Sequence, residues 1–132
     1  MLKYFSPTST SIESVVPSVN FNGLWRNELS SEMELTVDKA TGNVAGVYRT
    51  GVGTPQPTED FELVGFAAGD LLSFTVNFGK YGSLTSWSGQ STAVGGVTVI
   101  KTMWLMAENV PDADEPSKLW SAMLTGADNF RR

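Results

Sequence analysis

Cysteine and histidine are both missing from this sequence of 132 residues. Their absence excludes disulfide bonds, thiol nucleophiles, Ser-His-Asp triads and nearly every kind of zinc site. Basic residues are scarce as well: the chain has 9 of them and 14 acidic residues, which gives a net charge of -5. A protein with this net negative charge does not attract the phosphate groups of nucleic acids, so we expect no nucleic acid partner. With no nucleophile or pair of poised carboxylates evident either, we expect no enzyme, no metal and no cofactor.

Long hydrophobic runs are also absent, although hydrophobic residues make up 41% of the chain. This composition predicts a soluble globular protein without a membrane partner, and the length suits one domain. Residues 1–18 are rich in Ser, Thr and Pro and predict a flexible N-terminal tail, which leaves 19–132 for the folded domain. No apolar signal-peptide segment is visible, so the location, secreted or cytoplasmic, stays open.

The rest of the chain consists of short β-prone segments separated by turn residues. The spacing is typical of an antiparallel sandwich or barrel, and DKATGN at 38–43 is a strong hairpin motif. No segment has a sustained helical period. We therefore predict an all-β fold, an eight-stranded antiparallel up-and-down β-barrel. The predicted strands cover residues 24–29, 32–37, 44–50, 61–66, 71–78, 81–90, 97–107 and about 119–125.

Several predicted strands place polar side chains on the same face as large apolar ones. Ser83 and Thr85 alternate onto the face of Trp87, and Thr102 shares its face with Trp104. A hydrophobic core needs no hydroxyl groups, whereas a small-molecule site needs apolar walls with a few polar groups. A small closed barrel can hold one such ligand. The strand over 97–107 is apolar on both faces, which predicts a second buried surface, most simply between subunits.

Six motifs in this order resemble the avidin and streptavidin family. They are GLWRNELSS at 23–31, GVYRTGVG at 46–53, FTVNF at 74–78, SLTSWSGQ at 83–90, KTMWLM at 101–106 and LWSAMLTGADNF at 119–130. Each motif alone is weak, but together they are specific. The resemblance implies a streptavidin-like barrel that binds biotin without catalysis, as a homotetramer or, failing that, a dimer.

The resemblance also implies a role for each site residue. Asn27, Ser31 and Tyr48 would donate hydrogen bonds to the urea oxygen of biotin. Asp128 and Thr50 would accept from its two N–H groups. The head group would then lie between a cluster of donors and a pair of acceptors.

The remaining contacts that the resemblance implies concern the ring and the tail of the ligand. Thr85 would face the sulfur and Ser83 the carboxylate, while Trp120 would come from a neighbouring subunit. Phe78 stands where the family normally has tryptophan, and Met106 where it has leucine. The complete predicted biotin site is Asn27, Leu29, Ser31, Tyr48, Thr50, Val52, Thr54, Phe78, Ser83, Thr85, Trp87, Trp104, Met106 and Asp128, with Trp120 from the neighbour.

Taken singly, these residues have simpler explanations. The tryptophans are ordinary core residues in most proteins, Asn27 can mark a turn, and Asp128 beside glycine and asparagine can cap one. Strand alternation and chain order link the residues, and this joint pattern favours a biotin site. Two other functions stay open: a barrel that carries another small apolar ligand, and a protein-binding module such as a protease inhibitor.

Overall fold

The computed structural model describes residues 16–53, 55–111 and 123–132, and these form a closed barrel of eight strands. Each strand is antiparallel to the next, and β1 closes the barrel on β8 through Arg26 and Arg131. The predicted fold is thus confirmed. The strands are β1 (Gly23–Arg26), β2 (Glu32–Val37), β3 (Asn43–Arg49), β4 (Phe61–Ala68), β5 (Leu71–Phe78), β6 (Ser83–Val94), β7 (Val97–Glu108) and β8 (Met123–Arg131), with a 3-10 helix (Gly79–Tyr81) before β6.

Several predicted strand boundaries were wrong, and the errors at the ends of the first and last strands bear on the site. The first strand ends at Arg26, because the chain turns immediately afterwards: the Ser30 N–H donates to the Asn27 carbonyl at 3.2 Å. The last strand covers GADNF, which lies beyond the predicted strand end at about residue 125, and its Asp128 pairs with Thr102 of β7. Glycine and asparagine favour turns locally, but here the pairing with β7 holds the segment in an extended strand. The start of that predicted strand lies outside the described residues.

The DKATGN hairpin forms as predicted, between β2 and β3. The Gly42 N–H donates to the Asp38 carbonyl at 2.7 Å, and Gly42 adopts a φ of 79° that a side chain would disfavour. The Asp38 side chain accepts from the Ala40 N–H at 2.9 Å. Local turn chemistry therefore fixes the register of β2 and β3.

Large side chains fill the barrel at the end where β1 begins. Trp25 is fully buried there, and its indole N–H donates to the Phe21 carbonyl at 2.9 Å. The Arg132 guanidinium lies 4.1 Å from the centre of the Trp25 ring and holds the chain terminus over this end. The core consists of Phe21, Trp25, Met33, Leu35, Val44, Leu63, Leu72, Phe74, Val76, Ile100 and Phe130 with their neighbours. With this end filled, the large cavity among the inward-facing residues opens towards the opposite mouth.

The outside of the barrel carries exposed apolar side chains. Met103 and Leu105 of β7 are 67% and 52% exposed, and Phe66 of β4 is 68% exposed. The alternation predicted for β7 is therefore present, with Trp104 turned inward between two outward apolar residues. The described part of the chain contains no helix that is long and apolar enough to cross a membrane.

Val16 to Ser18 lie against the barrel. Pro17 forms an isolated bridge with Gly69, and the Ser18 N–H donates to the Gly69 carbonyl at 2.8 Å. The remainder of the predicted tail lies outside the described residues, so the division at residue 18 stays a prediction.

Candidate ligand-binding site

A cavity of about 380 Å³ opens at the mouth of the barrel opposite the filled end. All predicted site residues that the structure describes line this cavity, and their roles towards a ligand stay predictions. They are Asn27, Leu29, Ser31, Tyr48, Thr50, Val52, Phe78, Ser83, Thr85, Trp87, Trp104, Met106 and Asp128. Thr54 and Trp120 lie outside the described residues.

The turn between β1 and β2 fixes the orientation of the Asn27 amide. Its Oδ1 accepts from the backbone N–H of Leu29 at 3.0 Å and of Ser31 at 2.9 Å. With the oxygen engaged in the turn, the Nδ2 group is the part of the side chain left to donate into the cavity. Asn27 therefore lies in a turn and also lines the cavity, so its role in the turn does not exclude the predicted role in ligand binding.

The end of β3 approaches the same turn and positions two hydroxyl groups. The Ser31 Oγ accepts from the Gly51 N–H at 2.9 Å, so its proton can be donated elsewhere. The Thr50 hydroxyl donates to the Val52 carbonyl at 2.8 Å and accepts from the Val52 N–H at 3.2 Å, so a second lone pair of its oxygen can still accept. A Cβ at Gly51 would lie 2.4 Å from the Leu29 carbonyl oxygen, and only glycine allows this close approach.

Tyr48 connects the donor cluster to the aromatic wall. Its ring lies 4.9 Å from that of Trp87 and 5.9 Å from that of Phe78, measured between centroids. Burial raises the pKa of the Tyr48 hydroxyl, and hydrogen bonding with Ser31 and then Asn27 offsets part of this rise. The phenol is therefore protonated at neutral pH and can donate a hydrogen bond.

Asp128 adds a buried carboxylate to the lining of the same cavity. It is 5% exposed, and its Oδ2 accepts from the Trp87 indole N–H at 2.8 Å. The Thr102 hydroxyl donates to its backbone carbonyl at 2.9 Å. Asp128 therefore lies in the middle of a strand, and the simple reading of it as a turn cap was wrong. A carboxylate has a second oxygen, which can accept from a ligand.

Sequence reasoning missed the hydrogen bond between Trp87 and Asp128. The two residues are 41 positions apart, and strands β6 to β8 bring them together. In the same strands, Gly126 lies directly beside the Trp104 indole, where a Cβ would be 2.4 Å from Cζ2. The glycine thus gives Trp104 room to lie along the cavity wall.

The rim of the cavity includes four residues that sequence reasoning also missed: Gly53, Pro55, Tyr81 and Glu108. The Tyr81 hydroxyl donates to Glu59 at 2.8 Å, and Lys80 donates to the same carboxylate at 2.9 Å. The hydrogen bonds from Lys80 and Tyr81 lower the pKa of Glu59 and tie the 3-10 helix to the loop before β4. Alternation along β7 could have revealed Glu108, had the predicted strand not ended at residue 107.

Burial divides the cavity into two zones. The polar residues at its base are nearly inaccessible, with Ser31 at 2% and Thr85 at 4% exposed. At the rim, Leu29 and Val52 are 51% and 50% exposed. The cavity thus combines a buried base of donors and acceptors, aromatic walls and an exposed mouth, which is the arrangement of a small-molecule-binding barrel protein.

Comparison with known proteins identifies the family. The model of the Avidin family matches residues 16–132, so the chain belongs to this family. It is 32% identical to Avidin-related protein 4/5 of Gallus gallus over 133 residues, covering 92% of this chain and 87% of that one. It is 30% identical to Avidin of Gallus gallus over 121 residues, covering 86% of this chain and 78% of that one.

Solved structures of similar fold agree with this assignment. Xenavidin superposes with a TM-score of 0.75 at 27% identity, covering 86% of this chain and 97% of its own. The rhizavidin–biotin complex has a TM-score of 0.67 at 28% identity, covering 83% of this chain and 96% of its own. The resemblance drawn from the six motifs is thereby confirmed.

Proposed function

We propose that this protein binds and sequesters biotin with high affinity inside its barrel, without a catalytic step and without a cofactor. One observation carries the proposal: a cavity with aromatic walls is lined at its buried end by a cluster of potential donors and by a carboxylate acceptor. Family membership supports it, as does the biotin complex of rhizavidin at 28% identity.

The polar base of the cavity complements a cyclic urea. Asn27, Ser31 and Tyr48 would donate to the urea oxygen, while Asp128 and Thr50 would accept from its N–H groups. The hydrogen bonds of Asn27 in its turn and of Asp128 with Trp87 hold two of these groups before a ligand arrives. Such preorganisation reduces the conformational entropy that binding has to remove.

The apolar part of the cavity suits the remainder of biotin. Trp87, Trp104 and Phe78 would enclose its ring and chain, Thr85 would face the sulfur, and Ser83 at the rim would reach the end of the tail. Aromatic side chains provide a large rigid contact area for this purpose. The volume of about 380 Å³ falls within the usual range of small-ligand sites, roughly 300–1,000 Å³.

Self-association forms part of the proposal. We propose a homotetramer in which Trp120 closes the cavity of a neighbouring subunit, with a dimer as the smaller alternative. The exposed Met103 and Leu105, two residues apart on the outer face of β7, support association, because exposed apolar patches commonly mark interfaces. Light scattering of the protein with and without biotin tests this, and a monomeric mass at all concentrations would contradict it.

A biotin titration followed by tryptophan fluorescence tests the ligand. We expect saturable binding well below micromolar concentration, because Trp87 and Trp104 line the cavity. Biotin methylated on both urea nitrogens serves as the control ligand, since it cannot donate to Asp128. Absence of saturable binding at micromolar biotin would discard the proposal.

Retention of a lipid that biotin does not displace would support the apolar carrier, and biotin-independent inhibition of a protease would support the protein-binding module.

A further inference from the structure

Glu108 continues the inward-facing row of β7 to the mouth of the cavity. Thr102 and Trp104 face inward on this strand, and the alternation passes through Met106 to Glu108. In the antiparallel register, Glu108 lies directly opposite Ser83 of β6. An acidic side chain therefore stands beside the hydroxyl group to which the proposed function assigns the end of the ligand tail.

In the part of the chain that the structure describes, the charged residues that line the cavity are all acidic. Glu108 and Asp128 are the charged residues in the described lining, at the mouth and at the base respectively. Lys80, on the 3-10 helix at this end of the barrel, donates to Glu59 rather than into the cavity lining. The mouth thus offers a hydroxyl and a carboxylate to whatever group ends the tail.

We propose that Glu108 determines specificity for the tail of the ligand, so that the site prefers biotin with a neutral, amide-terminated tail over biotin with a free carboxylate. This inference rests on the proposed function and on the placement of the tail beside Ser83. An amide offers an N–H to the carboxylate of Glu108 and a carbonyl to the hydroxyl of Ser83. A free carboxylate has no N–H to donate to Glu108, and it adds a second negative charge at the mouth.

The expected preference follows from the repulsion of like charges. Two negative charges about 6 Å apart at an effective dielectric constant of about 40 weaken binding about tenfold. Glu108 is exposed, so salt screens this repulsion, and the preference should decrease as ionic strength rises. Contacts at the base of the cavity are the same for both ligands and leave the ratio unaffected.

A competition experiment measures the ratio directly. The full chain, at limiting concentration, is equilibrated with equal amounts of biotin and biotin amide and separated from free ligand, and the bound ligands are then released by denaturation and quantified by chromatography. We expect an excess of the amide complex of about tenfold at low salt. Glu108→Gln should abolish most of this excess by improving binding of the acid. Glu34→Gln is the matched control, because Glu34 lies exposed on the outer face of β2 and its replacement changes the net charge equally.

The outcomes separate this inference from the proposed function. Binding of both ligands in equal amounts, or an amide preference that Glu108→Gln leaves unchanged, would overturn the inference while the biotin site stands. Loss of the preference in Glu34→Gln as well would also overturn it, because the effect would then come from net charge alone. Binding of neither ligand would refute both. A preference that disappears only in Glu108→Gln and shrinks with salt supports the inference.

Discussion

Replacing Asp128 by asparagine tests the buried acceptor with little change in shape. In the native protein one carboxylate oxygen accepts from the Trp87 indole at 2.8 Å, and we assign the other oxygen to a urea N–H. An asparagine side chain has only one oxygen. If that oxygen keeps the Trp87 hydrogen bond, the amide NH₂ group faces the urea N–H, and two donors meet.

The size of the effect follows from the contacts that change. Asp128→Asn removes a hydrogen bond to a charged group, worth roughly 1.5–3 kcal/mol, and leaves an N–H unpaired at a cost of roughly 1–3 kcal/mol. These contributions overlap, so we expect a total loss of about 2–4 kcal/mol in binding free energy. This corresponds to about 30- to 700-fold weaker biotin binding. The free energy of unfolding should change by less than about 1 kcal/mol, because the Trp87 hydrogen bond is retained.

Calorimetric titration with biotin, combined with urea unfolding, measures both quantities. Asp70→Asn is the matched control: Asp70 accepts from Gln90 at 3.0 Å outside the cavity lining, so the same chemical change should leave biotin affinity unaltered. A biotin affinity of Asp128→Asn within threefold of the native value would contradict the acceptor role. An affinity loss of equal size in Asp70→Asn would show that the effect is not specific to the cavity.

Two further predictions concern the walls of the cavity. Because burial raises the pKa of Tyr48 above its ordinary value of about 10, its contribution to stability is complete below pH 10 and is lost as the pH rises above that value. Urea unfolding at pH 9 and pH 11 should therefore show a smaller alkaline loss of stability in Tyr48→Phe than in the native protein, and equal losses would contradict this. Gly126→Ala would place a Cβ 2.4 Å from the Trp104 ring, so we expect displacement of the indole, a loss of about 1–3 kcal/mol in unfolding free energy and weaker biotin binding. An unchanged melting temperature and affinity in this variant would show that the wall tolerates the methyl group.

Much of the barrel could be predicted from local patterns. The alternation of Leu72, Phe74 and Val76 with polar residues identified β5, and the Asp38 to Asn43 turn identified the first clear hairpin. The errors that bear on the base of the site fell at Asn27 and at residues 126–130, where the type of residue favours a turn. At Asn27 the chain does turn, one residue after the strand. At 126–130 pairing with β7 overrides the local preference.

The contents of the site were predictable to a smaller extent. Chain order and strand alternation were sufficient to collect the inward residues, including Ser83, Thr85 and Trp87. These patterns did not predict which hydrogen-bond partner any of these side chains has. The orientation of the Asn27 amide depends on two backbone N–H groups of the turn, and the place of Glu108 depends on how far β7 continues.

The amino-acid sequence by itself determined the strand period, and with it which side chains point into the barrel, because alternation is a property of the extended backbone. Only the tertiary structure decided which inward side chains meet. The Trp87 hydrogen bond to Asp128 arises when β7 pairs with both β6 and β8, and the close approach at Gly51 arises when β3 reaches the turn after β1. Such meetings depend on register and barrel closure, which involve residues far apart in the chain.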